Sequence, residues 1–364
     1  MNKFDSIRPY NDSEVSSVLN RLVENKHLQD LFISSSLLSK ISFFPFTRLV
    51  AKKLLISKSK KIKSISDYQK IFEGLVENVI SNSINSFDIN GLDSLDEDGS
   101  YLFISNHRDI TLDSALLNYS LHKNNLKTTN NAVGNNLMEE EWASDLMRLN
   151  KSFIIDRNGK SKREIYNSLN LASEFIQTRI LNSNESIWIA QKQGRSKDGI
   201  DMTDPSVLKM IHLYSRKKED IGNCLNKLNL IPVGISYEYD PNDIVKAKEL
   251  YSIINGVPYV KNKGEDLESI ASGIQNYKGN VCLNVGKKIS FDSYSYSECA
   301  NLITDSINSL YINHPTNYVA KKLIENKNYT SDDKSDAIDY LKKRMSHIPD
   351  EMHDIFLSQY SNSL

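Results

Sequence analysis

At 364 residues, 39% of them hydrophobic and 25% charged, the chain is long enough for one large domain or two modest ones with a sizeable buried core. A formal net charge of -1 leaves no electrostatic footprint for nucleic acid, and no nucleic-acid partner is expected. Cys224, Cys282 and Cys299 show no C-x-x-C spacing, which points to a reducing compartment and away from structural zinc. The opening "MNKFDSIRPYNDSE" lacks the design of a signal peptide, and no window of about 18 apolar residues suggests a spanning helix. These features together predict a cytoplasmic protein.

Residues 12–85 read as helical, because Leu19, Leu22, Val23 and later Phe72, Leu75, Val76 and Val79 recur at helical spacing. Within them, the segment 31–66 carries eight Lys/Arg residues and no acid, interleaved with Phe43, Phe44, Phe46, Leu49, Leu54, Leu55 and Ile56. A basic amphipathic stretch of this kind suits an anionic membrane surface, which would make the protein peripheral at the inner face of the membrane. It equally suits a solvated helical face backed by a core face.

From about residue 86 the texture changes. The acidic turn "GLDSLDEDGS" leads into "YLFIS", a short buried-strand pattern followed by a polar segment and a helical run from about Thr111 to Leu121. The same grammar returns in "SFIID" before "RNGKSKREIYNSL", "SIWIA" before "QKQGRSKDG", and "LIPVGISYEY" before "DPND". Apolar strands ending in polar loops and alternating with helices predict an α/β fold: a mixed, mostly parallel sheet flanked by helices, with ligands at the strand ends. "HPTNYVAKKLIE" and "DAIDYLKKRM" read as helices again. The expected organisation is a helical region at 1–85, an α/β domain at 86–300 and a helical tail at 301–364 packing on that domain.

The first loop, "SNHRDITLDSALL", contains His107-Arg108-Asp109, the triplet that opens a protein-kinase catalytic loop. A kinase needs an asparagine five residues after that aspartate, where this chain has Ser114, and no D-F-G tripeptide occurs. The alternative chemistry is a histidine supported by a nearby carboxylate, the arrangement that takes a proton from an alcohol. With no G-x-S-x-G elbow, such a histidine would act on a substrate hydroxyl directly. A single histidine after a strand also suits a structural role, but His107 alone of the seven lies between a strand and a helix with acids close by. Arg157, after "FIID", and Arg195, in the third loop beside Gly194 and Ser196, suit a phosphate or carboxylate; each also suits an ordinary surface position. Asp198, Asp201 and Asp204 read either as metal ligands or, more simply, as a polar turn with a helix cap.

Taken in order, these loops resemble the glycerolipid acyltransferase family, which includes the glycerol-3-phosphate and 1-acylglycerol-3-phosphate acyltransferases. "NHRDITLD" looks like the family's N-H-x-x-x-x-D block at Asn106 and His107, and "SFIIDR" like its second block at Arg157. Gln193, Gly194, Arg195 and Ser196 echo its E-G-T-R-S block, and "LIPVGI" its fourth block at Pro232. These blocks cover roughly 86–245. A soluble bacterial branch of the family is more similar still, through "SNHRDI", "LMRLNKSFI", "SIWIAQ", "GRSKDG" and "ISYEYDP", which would extend the likeness over nearly the whole chain.

Two departures stand out. Five residues separate His107 from Asp113 where the family has four, so the two meet only if His107 sits in the loop before the helix; Asp109 is then a rival partner. Gln193 stands where the family has glutamate, and one residue is missing before Arg195. The resemblance implies acyl transfer from a thioester on acyl carrier protein or coenzyme A to a hydroxyl of glycerol 3-phosphate or its 1-acyl derivative. It implies His107 as base, Asp113 or Asp109 as its support, and Arg157 and Arg195 on the acceptor's phosphate, with Asn106, Gln193, Gly194, Ser196 and Pro232 lining the site. No metal or redox cofactor is expected. A lyso-aminolipid acceptor, or a weakly catalytic lipid-binding protein, are the alternatives.

Overall fold

A computed structural model describes residues 2–34, 47–135, 140–262, 264–292, 295–328 and 334–364. The chain divides into two compact units, Met1–Leu75 with Asn130–Phe175, and Val76–Thr129 with Ile176–Leu364. Among the described residues are seven strands: β1 (Ser86–Asn90), β2 (Leu102–Ser105), β3 (Asn130–Gly134), β4 (Ser152–Ile155), β5 (Ile187–Ala190), β6 (Leu230–Tyr237) and β7 (Asn280–Val285).

In the first unit the helix Asp12–Glu24 presents Val15, Val18, Leu19 and Leu22 at three- and four-residue spacing. This stripe packs with Ile62 and with Leu149, at the end of the helix Glu141–Leu149. Asp145 of that helix, nearly buried, accepts from Arg21 Nη2 and from Tyr10 Oη, both at 2.7 Å, so its charge is compensated. β3 and β4 pair in parallel, with Ala132 opposite Phe153.

The basic stretch read at 31–66 lies partly outside the described residues, which omit 35–46. Where it is described, Arg48 pairs with Asp30 at 2.7 Å, Lys52 with Glu24 at 2.7 Å, and Lys58 stands 5.2 Å from the Phe32 ring centre. Leu49 and Leu54 of the same helix, Thr47–Ser59, are exposed. No helix among the described residues is long and apolar enough to cross a membrane.

The second unit carries the strand order β1-β7-β6-β2-β5, parallel throughout except for the antiparallel β6–β7 pair. With β3–β4 also parallel, the fold is the mixed, mostly parallel α/β class expected from the sequence. β2, β5 and β6 are almost wholly buried, which is why they read as unbroken apolar runs instead of alternating ones. Pro232 lies inside β6, paired with Ile104 of β2. Its carbonyl accepts from Gly286 N–H just past the end of β7, and the proline nitrogen faces the same way, so no β2 ladder bond is lost.

The C-terminal helices Pro315–Ile324, Ser335–Met345 and His353–Ser361 pack on the helix Asp243–Ile254 through Val319, Ala320, Leu341, Phe356 and Ala247. Fully buried Asp243 anchors them, accepting from Arg344 Nε at 3.0 Å and from Tyr360 Oη at 2.9 Å. The last helix also backs the third loop. At Gly199, φ is +78° and a Cβ would lie 2.5 Å from Gln359 O, so both the backbone and the space demand glycine.

Candidate active site

β2 ends at Ser105 and the helix Leu112–Lys123 begins seven residues later, leaving 106–111 as the loop that carries the histidine. His107 Nδ1 lies 2.8 Å from Asp113 Oδ2. The six-residue offset closes because Asp113 sits in the first turn of the helix and reaches back over the loop, where Oδ2 also accepts from the N–H groups of Arg108 (2.7 Å) and Asp109 (3.0 Å). The other carboxylate oxygen, Oδ1, accepts from Tyr237 Oη at 2.8 Å. A carboxylate oxygen surrounded by donors can only accept, so Nδ1 of His107 carries the proton and Nε2 keeps the lone pair. Among the described residues Nε2 makes no hydrogen bond. The ring packs edge-on to Trp188 of β5, with centroids 5.8 Å apart.

Asp109 does other work. Its Oδ1 accepts from Thr111 N and Leu112 N, both at 2.9 Å, and so caps the helix start. Its Oδ2 is buried without a hydrogen-bond partner among the described residues and faces Gly273 of the helix Glu265–Gln275. Burial, then the charge of Asp113, push its carboxyl above the usual range. Between the two rival aspartates, Asp113 is the one in contact with the imidazole.

A buried polar frame holds this loop. The Asn106 amide donates to Asp201 Oδ2 (3.0 Å) and Ile235 O (2.9 Å) and accepts from Ile235 N (2.9 Å). Fully buried, Asn106 ties the loop to β6. Arg108 donates to Asp201 at 2.6 Å and to Gly199 O at 3.2 Å, and lies over the Tyr311 ring at 5.0 Å. Burial works against its charge, but Asp201 and Tyr311 more than offset that and hold the guanidinium protonated. Lys246 Nζ donates to Arg108 O at 2.7 Å and to Asp240. Sequence reasoning gives Arg108, Lys246 and Tyr237 no role at the site; their partners lie 93 to 138 residues away, beyond any local pattern.

The third loop approaches from the end of β5. Gln191 N donates to Ser105 O at 2.8 Å and Ser196 N to His107 O at 2.7 Å, which registers the two loops against each other. Gly194 has φ +75° and is exposed, and a Cβ at this position would meet nothing within 4 Å, so its requirement is for backbone shape alone. Gln193 beside it is exposed. Arg195 Nη2 is 3.4 Å from Ser269 Oγ, while Nη1 is buried without a hydrogen-bond partner among the described residues. Ser196 is buried. Pro232 is buried inside β6, and Arg157, half-buried, follows β4 in the first unit.

The three aspartates after this loop divide their labour. Asp198 Oδ1 accepts from Ile200 N at 3.1 Å, Asp201 holds Arg108 and Asn106, and Asp204 caps the helix Pro205–His212 through Ser206 N at 2.7 Å. Among the described residues no three His, Cys, Asp or Glu side chains are grouped to hold a metal ion.

A family model described as Acyltransferase matches residues 86–206, the span that runs from β1 to the helix capped by Asp204 and so includes the His107 and Arg195 loops. No curated protein matches the chain. Among solved structures, the crystal structure of the 1-acyl-sn-glycerophosphate (LPA) acyltransferase PlsC from Thermotoga maritima aligns at 12% identity and a TM-score of 0.39, covering 82% of this chain and 94% of that one. Over residues 86–206, this chain is similar to the acyltransferase family.

Proposed function

We propose that the protein moves an acyl group from a thioester, carried on acyl carrier protein or coenzyme A, to a hydroxyl of glycerol 3-phosphate or 1-acylglycerol 3-phosphate. The observation that carries this reading is the 2.8 Å contact between His107 Nδ1 and Asp113, which leaves Nε2 as the basic nitrogen. Nε2 takes the acceptor's hydroxyl proton as its oxygen attacks the thioester carbonyl. The tetrahedral intermediate then collapses, the C–S bond breaks, and the imidazolium returns the proton to the departing thiolate. Asp113 orients the ring throughout and offsets its transient positive charge.

Arg195 supports an anionic acceptor, since its Nη1 has no hydrogen-bond partner among the described residues and guanidinium binds phosphate bidentately. Arg157 is a candidate for an anion through the resemblance of its block. Backbone N–H groups near Gly194 are candidate donors to the oxyanion. The chemistry needs no metal or redox cofactor. Exposed Leu49 and Leu54, beside the basic residues of the helix Thr47–Ser59, support peripheral contact with anionic lipid.

Labelled acyl carrier protein or acyl-coenzyme A, offered with each glycerol acceptor, tests the reading. Product formed by the wild type and lost in His107→Ala is the expected result. Arg195→Ala and Arg157→Ala should raise the acceptor's KM more than they lower kcat. Product only with a lyso-aminolipid would replace the phosphate by a carboxylate, and no product with any acceptor would sink the reading.

A further inference from the structure

Tyr237 is the last residue of β6, four positions past Val233, where that strand's pairing with β2 ends opposite Ser105. The overhang carries the side chain across the mouth of β2, over the loop that holds His107. There the Tyr237 hydroxyl, in a side chain only 6% exposed, donates to Asp113 Oδ1 at 2.8 Å. The two carboxylate oxygens are thus divided. Oδ2 receives His107 and two backbone N–H groups, and Oδ1 receives Tyr237.

For the histidine, this division acts in two ways. A carboxylate held at both oxygens cannot turn about its Cβ–Cγ bond, so Oδ2 stays on the line of the imidazole N–H. A donor on Oδ1 also draws charge away from the oxygen that faces the ring, which weakens the pull of the carboxylate on a proton bound to His107. Burial, then the neighbouring Asp113 charge, push the phenol well above its ordinary range, so the hydroxyl stays a donor at any working pH.

We infer that Tyr237 is a positioning residue for the base: through Asp113 it fixes the orientation of His107 and tunes how readily the ring gives its proton up. The inference rests on His107 as the base of the proposed transfer. The other charged groups around the pair are Arg108 and Asp109 of the same loop, Arg195 of the third loop, Lys246 of the helix Asp243–Ile254, and Asp240 and Lys278 flanking the ends of β6 and β7. All remain in place when only the phenol oxygen is deleted.

The test compares Tyr237→Phe with Tyr360→Phe, which deletes a hydroxyl from an equally buried tyrosine bonded to a different buried carboxylate, Asp243. The His107 ring is titrated by nitrogen-resolved NMR in the folded proteins, a measurement that needs no turnover. In Tyr237→Phe the midpoint should move upward, kcat should fall by roughly tenfold with both KM values held, and the acid limb of the kcat/KM profile should move with the midpoint. Tyr360→Phe should leave the midpoint in place. An unmoved midpoint in Tyr237→Phe, or the same movement in both variants, would overturn the inference and leave Tyr237 as packing alone. If the wild type transfers no acyl group, the proposed function fails, while the NMR comparison still decides the coupling.

Discussion

Gly273 stands against Asp109: a Cβ at this glycine would lie 2.4 Å from Asp109 Oδ2. Glycine inside a helix ordinarily costs about 1 kcal/mol relative to alanine. Here the sign should reverse, because Asp109 is 1% exposed and its other oxygen is committed to the start of the next helix, so the carboxylate has little freedom to turn aside. Gly273→Ala is expected to lower stability by about 1–3 kcal/mol. Gly74, with nothing within 4 Å of its would-be Cβ in the helix Ile65–Ser83, should behave in the ordinary way and gain about 0.5–1 kcal/mol as alanine. Denaturant unfolding of the two variants decides it, and equal signs would contradict the packing.

Much of this architecture is legible in the sequence for a physical reason. Strands buried on both faces, such as "LFIS" and "IWIA", carry unbroken apolar runs that stand out from the helices between them. β1 and β7 do not stand out, because their edge pairing is built from polar side chains. Asn90 bonds Asn284 and Ser86 bonds Asn280, each at 2.8 Å, and asparagine is a residue that strand propensity counts against. At the site, the His107 loop and the third loop are visible as polar segments after strands. The choice between Asp109 and Asp113 is not, since it depends on how far the first helical turn reaches back. Tyr237 is invisible as a site residue because its partner lies 124 residues earlier and only the register of β6 on β2 brings them together.

Asp113→Asn separates the charge of the carboxylate from its hydrogen bonds. The amide oxygen can take the place of Oδ2 and accept from the same backbone donors, while the amide nitrogen faces Tyr237, whose hydroxyl can rotate and accept. The fold should therefore survive with a loss of about 1 kcal/mol or less. Turnover should drop by on the order of 10²–10³, because nothing then offsets the imidazolium. Asp113→Ala strands all these donors and should cost about 2–4 kcal/mol in addition. Parallel thermal melts and acyl-transfer rates check both halves; an asparagine variant that is active but unstable would reverse the argument.

His314 supplies an acid sensitivity away from the site. Burial pulls its imidazole down from 6.5 to about 4, and in that neutral form Nε2 bonds Ser236 Oγ at 3.1 Å. Below its unfolded value the unfolded chain binds a proton that the folded chain refuses. Stability is therefore whole above about pH 6.5 and falls as the pH drops toward 4, by about 2–3 kcal/mol in total. His314→Gln keeps a polar group and removes the titration, so the difference in unfolding free energy between wild type and variant should change across this window. A constant difference from pH 7.5 to 4.5 would contradict the assignment.

Arg344 should prove the tether of the C-terminal helices. Its partner Asp243 is fully buried, and burial pushes that carboxyl upward while Arg344 pulls it back. Tyr340 and Tyr360 also donate to it, at 3.1 and 2.9 Å, so removal of the arginine leaves a buried carboxylate partly solvated by hydroxyls. Arg344→Ala is expected to cost about 2–4 kcal/mol at neutral pH, toward the lower part of the range for breaking a buried pair because three donors remain, Tyr340 Oη, Tyr360 Oη and the Ile244 N–H. The cost should shrink as the pH falls, since without Arg344 the folded carboxyl takes up its proton earlier than the unfolded one, and a protonated Asp243 needs no cation. The loss should also reach the third loop, because Gln359 packs on Gly199 and Asn362 Nδ2 donates to Asp198 O at 2.8 Å. Hydrogen exchange at 198–200 should therefore quicken in the variant along with exchange in the helix His353–Ser361. Protection lost from the helix alone would mean that the tail and the loop open independently.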